Sequence, residues 1–174
     1  MTDTPFAQLI AVADTYGTHS LENYSAIRSL AERLRDGFCK HLNADDGECV
    51  YLVPPTGGFA AEAHGSDAFS VAGRGVLPLE PISFGLAVRV SSKADWLRVV
   101  FVCEVRANQL RVQIDGGDDF DLPVKLTDEA VAQIFEPLYL HIHDWFAERI
   151  KQFEQGSYGS RDIGFEIINL ASKE

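Results

Sequence analysis

Cysteine is scarce: Cys39, Cys49 and Cys103 are the three in 174 residues. They form neither a C-x-x-C pair nor an even set, which excludes a disulfide-stapled framework, and we expect three reduced structural thiols. Cys103, between Phe101 and Val105 on one face of an expected strand, should be buried and chemically inert. Long apolar runs are also lacking, since none approaches the roughly 18 residues of a membrane span. The opening MTDTPFAQLI has no basic region followed by an apolar one, so we expect a cytoplasmic protein. Positive charge is in deficit, with 15 Lys and Arg against 26 Asp and Glu for a net charge of −11. Phosphate backbones and anionic lipid repel such a chain, so neither nucleic acid nor a membrane is expected as a partner.

Sequence signatures of catalysis are missing as well. There is no G-x-x-x-x-G-K-[ST] loop. Gly57-Gly58 and Gly73-Arg74-Gly75 do not stand between a strand and a helix as a dinucleotide-binding turn must. No G-x-S-x-G elbow surrounds Ser66 or Ser157. Ser66 lies too near His64 and Asp67 in sequence for a triad, whose members normally converge from distant positions. Asp115, Asp118, Asp119 and Asp121 lack the spacing and the later Glu of a calcium loop, and read as an acidic hairpin turn. This leans away from an enzyme, and no cofactor is implied.

What is present is ordinary globular composition, 46% hydrophobic and 24% charged, in a length suited to a single domain over residues 1–174. The organising stretch is Ile82 to Ile114, three alternating runs that read as an antiparallel meander. Ile82, Phe84, Leu86, Val88 and Val90 share one face of the first run, and Leu97, Val99, Phe101, Cys103 and Val105 the matching face of the second. Closing the first hairpin with Ser92 opposite Asp95 sets Val90 against Leu97. A second turn at Asn108 and Gln109 sets Val105 against Val112. On the other face this register opposes Arg89 to Arg98 and Arg106 to Arg111, which is costly for bare like charges. Between those pairs lie the small or apolar Gly85, Ala87, Val100 and Val102, with Trp96 at one end. A three-residue loop through Asp118 keeps Phe120, Leu122 and Val124 on the apolar face, with glycine in the left-handed position.

Around the meander, Thr4-Pro5 starts a helix that Gly17 is expected to end, and a second helix carries Tyr24, Ile27, Ala31, Leu34, Phe38 and Leu42 on one stripe. CVYLVP reads as a short strand and AFSVA as a brief one. Pro54 to Asp67 reads as a long glycine-containing loop able to act as a lid. Thr127 caps a long helical pattern with a kink expected near Glu136, before Pro137. DIGFEIINL reads as a terminal edge strand. The fold class is therefore α+β: a two-layer sandwich with a mainly antiparallel sheet covered by the long C-terminal helix, flanked by an N-terminal helix pair.

Function divides between two readings. The first is a soluble, non-catalytic binding or adaptor protein, a homodimer or the receptor of an acidic protein. It would act through the outer sheet face at Arg89, Trp96, Arg98, Val100, Val102, Arg106 and Arg111. The second is a small-molecule-binding or catalytic site between sheet and helix, with His64, Tyr139, Trp145 and Arg149 as lining. A weaker option is a metal on His141, Asp144 and Glu148, at i, i+3 and i+7 of one helix. His141 and His143, about 200° apart on a helix, cannot chelate together.

Overall fold

A computed structural model describes residues 3–44, 47–92, 94–156 and 166–169. The Thr4 hydroxyl accepts a hydrogen bond from Ala7 N and Pro5 occupies the first turn, so helix α1 starts where the sequence places it. It then runs without interruption from Pro5–Leu42. The expected helix pair is one helix. Gly17 weakens it by about 1 kcal/mol relative to alanine, but nothing after Gly17 supplies a stop. Ser20 does not cap a second helix; its hydroxyl donates to Tyr16 O one turn back. The true terminus is Asn43, left-handed at φ 54°, whose N–H donates to Lys40 O.

Among the described residues six antiparallel strands follow: β1 (Val50–Val53), β2 (Ile82–Arg89), β3 (Asp95–Arg106), β4 (Gln109–Ile114), β5 (Asp119–Pro123) and β6 (Glu166–Asn169). Their order is β1-β2-β3-β4-β5, and β6 pairs with the first residues of β3, below the reach of β4. The first half of the expected DIGFEIINL strand lies outside the described residues. CVYLVP forms β1, an edge strand paired with β2. AFSVA forms no strand: a short 3-10 helix, Gly65–Ala68, leads to a lone bridge between Phe69 and Phe84.

The faces of the meander are as parity requires, but both central registers slip by two residues. Val88 opposes Leu97, and Phe84 opposes Phe101 with their rings stacked 5.2 Å apart. Val105 opposes Leu110 across a two-residue turn at Ala107 and Asn108, both at positive φ as a type I′ turn demands. Slippage by two preserves every face and changes every partner. The like-charge pairs therefore do not form: Arg89 faces Trp96, Arg98 faces Ala87, and Arg111 faces Glu104. The last hairpin has the expected loop length but slips by two as well: its loop is Asp115, Gly116 and Gly117 and does not run through Asp118, so Phe120 opposes Val112, with Gly116 left-handed.

The inner face is covered by the second half of α1, which contributes fully buried Ile27, Leu30, Ala31, Leu34 and Phe38. Burial of each of the larger side chains is worth about 1.5–3 kcal/mol. The C-terminal pattern splits, as Pro137 suggested, into α2 (Asp128–Ala132, capped by Thr127) and α3 (Phe135–Glu154). At the start of α3 the proline ring displaces no needed amide donor. Leu138 and Ile142 of α3 complete the cover. Phe135 packs over Gly37, where a Cβ would collide with its ring. Among the described residues no helix is long and apolar enough to cross a membrane.

Two further ties fix α1. Cys39 near its end and Cys49 ahead of β1 are joined as a disulfide with Cα atoms 5.6 Å apart, which corrects the expectation of three free thiols. Sequence spacing alone does not reveal that the chain turns back over these ten residues. Cys103 is free, buried and held well above the usual thiol pKa by that burial. Asn23, almost fully buried, accepts from Val105 N at 2.9 Å and donates to Glu80 O at 3.0 Å, locking helix to sheet. Replacing Asn23 with Leu strands both backbone groups, and we expect a loss of about 1–3 kcal/mol in denaturant unfolding. A change within 0.3 kcal/mol would contradict that role.

Candidate functional site

The outer sheet face is less available than the sequence suggested. Val53, Ala87 and Trp96 form a second small core, against which Tyr51, Phe59, Ala61 and Ile168 pack. The rings of Tyr51 and Trp96 lie 5.4 Å apart. Arg98, only 5% exposed, donates to Pro54 O at 3.1 Å and Gly57 O at 2.7 Å, with its guanidinium 4.7 Å over the Phe59 ring. The first part of the Pro54 to Asp67 loop, through Ala61, is thus the cover of the outer face, while Ala63, His64 and Gly65 border α1 and β1. Gly85 permits the approach, because a Cβ there would stand 2.9 Å from Val53 O and 3.0 Å from Pro54 O.

Trp96 and Arg98 are accordingly interior residues. Val100 and Val102 are half-buried. Of the remaining rim, Arg106 pairs with Glu104 at 2.8 Å and Arg111 with Asp119 at 3.4 Å, while Arg89 is half-buried. An acidic partner would have to displace acids of the same chain, and the motive for placing it on this face is gone.

The four expected ligand residues do not converge. His64 lines an open cleft of about 860 Å³ between α1 and the loop, with Arg28, Arg35, Lys40 and Phe69. Its arginines are engaged, Arg28 with Glu32 and Tyr24 OH and Arg35 with Asp36, and the His64 ring bonds Ala60 O. The hydrogen bond from Arg28 to Tyr24, then that to Glu32, raises the Arg28 pKa further. Trp145 and Arg149 line a separate depression beside α3, and Tyr139 lines neither. Arg149 donates to Gln152 and stacks 5.4 Å from Trp145. It lies half-buried at the edge of this open depression.

The metal option fares no better, since no three His, Cys, Asp or Glu side chains among the described residues converge to hold an ion. Asp144 bonds His143, and Glu148 lies near Gln152. His141 instead turns inward against the β4–β5 turn, where a Cβ on Gly117 would come within 3.1 Å of its ring.

Sequence reasoning missed a different feature. Every residue from 3 to 19 is exposed, although α1 continues without interruption into the core. Phe6, Leu9 and Val12 are 71%, 62% and 64% exposed, and Ile10, Tyr16 and Leu21 are also open. At about 100° per residue these side chains, with Ala13, occupy one half of the helix circumference. Gln8, Asp14, Thr15, Thr18 and Glu22 occupy the other. Asp14 is the single charge between residues 5 and 18. The apolar arc is the outward continuation of the stripe that buries Ile27, Leu34 and Phe38. Its spacing was legible, but core and interface stripes have the same period. The missing signal was the near absence of charge over 14 residues.

Comparison with protein-family models, curated proteins and solved structures finds no match.

Burial holds the His141 pKa below the ordinary histidine value, opposed by the charges of Asp118 and Asp115. As pH falls the unfolded chain takes up this proton first, so the contribution is intact above the unfolded value of about 6.5 and lost as pH drops through the folded one. We expect the thermal midpoint to fall more between pH 7.5 and 5.5 in the wild type than in His141→Gln. Parallel pH profiles would refute the assignment.

Proposed function

We propose that this protein is a non-catalytic binding or adaptor protein whose contact element is the exposed half of α1. The observation that carries the reading is the apolar arc of Phe6, Leu9, Ile10, Val12 and Tyr16, held in helical form yet open to solvent. A helix that presents anchors at i, i+3, i+4 and i+7 suits a groove or another helix. A contiguous patch of this kind is rare on a surface that stays uncovered.

The chemistry favours protein over lipid as the partner. Helices that lie in a membrane interface carry Lys or Arg opposite their apolar face. Residues 5–18 contain no basic residue, and Asp14 stands on the polar side. The partner surface should be apolar and poor in acid, because the chain as a whole carries −11. The binding reading thus moves from the sheet to the helix.

Its test is affinity purification of tagged protein from its native cells, comparing wild type, Ile10→Glu and Arg106→Glu. We expect proteins held by the wild type, including untagged copies of the chain, to be retained by Arg106→Glu and lost from Ile10→Glu. The same set on Ile10→Glu would end the proposal.

A cytoplasmic location enters this reading with a condition. Cytosolic thiols are kept reduced, so the Cys39–Cys49 bond would form there only on oxidation. Alkylation under denaturing acid quench should then label all three cysteines in unstressed cells and only Cys103 after oxidant. A single labelled thiol in unstressed cells would move the protein to an oxidising compartment.

A further inference from the structure

The exposed arc has a symmetry that its exposure alone does not require. Ala13 lies near its middle, with Leu9 and Ile10 one turn earlier and Tyr16 and Gly17 one turn later. Phe6 closes the far end. Large residues thus fill the N-terminal part of the arc, while Ala13 and Gly17 leave gaps on either side of Tyr16. A helix patterned in this way is complementary to itself when reversed. Placed antiparallel about an axis near Ala11, each Ala13 receives Leu9 and Ile10 of the other helix. Each Phe6 then meets Tyr16 and Gly17, and the space that a Gly17 Cβ would occupy is open. A parallel pair would instead crowd Phe6 on Phe6 and leave gaps where Ala13 meets Ala13 and Gly17 meets Gly17.

Charge selects the same orientation. Each copy carries −11. Ser20 is the first residue of α1 buried against the body. An axis near Ala11 therefore separates the two bodies by about 25 Å along the pair, at 1.5 Å per residue. That is about three times the screening length of about 8 Å at physiological salt. A parallel pair would set the bodies side by side, at the 8–10 Å or so that separates packed helices. The contact zone itself brings only Asp14 from each copy, on the polar side.

Size is sufficient. Each of the five exposed large side chains from Phe6 to Tyr16 offers about 100 Å², so a pair would cover about 1,000 Å² in total, the lower limit for specific interfaces. The contact extends further where Tyr16 OH accepts from Leu79 N. This places exposed Val76 and Leu79 on the loop that meets the helix where the partner's Phe6 would arrive.

We infer that the partner of this helix is a second copy of the chain, joined as an antiparallel two-helix dimer about an axis near Ala11. This inference rests on the binding reading above and adds the identity of the partner and the geometry. It also retains the homodimer expected from the sequence while assigning it to a different surface.

Sedimentation velocity on the full chain from 1 to 100 μM tests it. We expect a dimer for the wild type and for Ile150→Glu, which alters an exposed apolar patch on α3. Ile10→Glu should weaken association by about 100-fold or more. Because Ile10 lies outside the core, circular dichroism should confirm that the variant keeps its folded body. Isotope-filtered contacts in a mixed-label dimer should join Phe6 of one copy to Tyr16 or Gly17 of the other. A wild-type monomer at 100 μM overturns the dimer while leaving the broader binding reading to its own purification test. A dimer that survives Ile10→Glu, or one with Phe6–Phe6 contacts, overturns it equally.

Discussion

A sheet that is apolar on its inner face must be covered, and here the second half of α1 does most of the covering. Ile27, Leu30, Leu34 and Phe38 sit against β2, β3 and their neighbours, while Asn23 fixes the depth and direction of the helix through Val105 N and Glu80 O. Once that half is seated, the other half has no freedom of aim. An α-helix without a kink is a rigid lever, and the core contacts at one end determine where Phe6 and Ile10 are presented at the other. The exposed arc is therefore a consequence of core packing and helix continuity together.

The outer face obeys the same demand by a different device. β1 and the loop after it bring Val53, Phe59 and Ala61 over Ala87 and Trp96, and Arg98 supplies the hydrogen bonds that the loop carbonyls of Pro54 and Gly57 need. A buried arginine is tolerable because its donors meet carbonyl oxygens and its plane lies on an aromatic ring. The result removes most of the meander from consideration as a docking surface. What looked like an apolar centre ringed by cations is, over its β1 side, an interior.

Much of this architecture was legible in the chain. Period-two alternation fixed which residues of β2, β3 and β4 face inward, and Pro137 marked the break before α3. What alternation cannot distinguish is a slip of two residues, because every side chain keeps its face. Turn geometry decides that, and Ala107-Asn108 carries none of the glycine that usually announces a type I′ turn. Gly17 failed as a stop signal for a related reason: a glycine ends a helix only when the following residues leave it, and Thr18 to Ser20 do not. The candidate site was half visible. Phe6, Leu9, Ile10, Ala13 and Tyr16 stood out as one stripe, but a sequence does not say whether a second layer is available to cover it.

That question has a physical answer in the helix itself. A segment of about 15 residues is marginal as an isolated helix in water, and nucleation is its main cost. Here nucleation is supplied by the seated half, so the exposed half needs only to propagate, and the Thr4 cap with Pro5 secures its far end. Propagation through an arc this apolar gains little from water, and it leaves Phe6, Leu9 and Val12 unburied. A partner helix reverses the balance, because covering the arc favours association and helical order at once. Fold and binding are thus linked through one element: the docked half holds the arc in shape, and whatever covers the arc extends the order of the docked half outward.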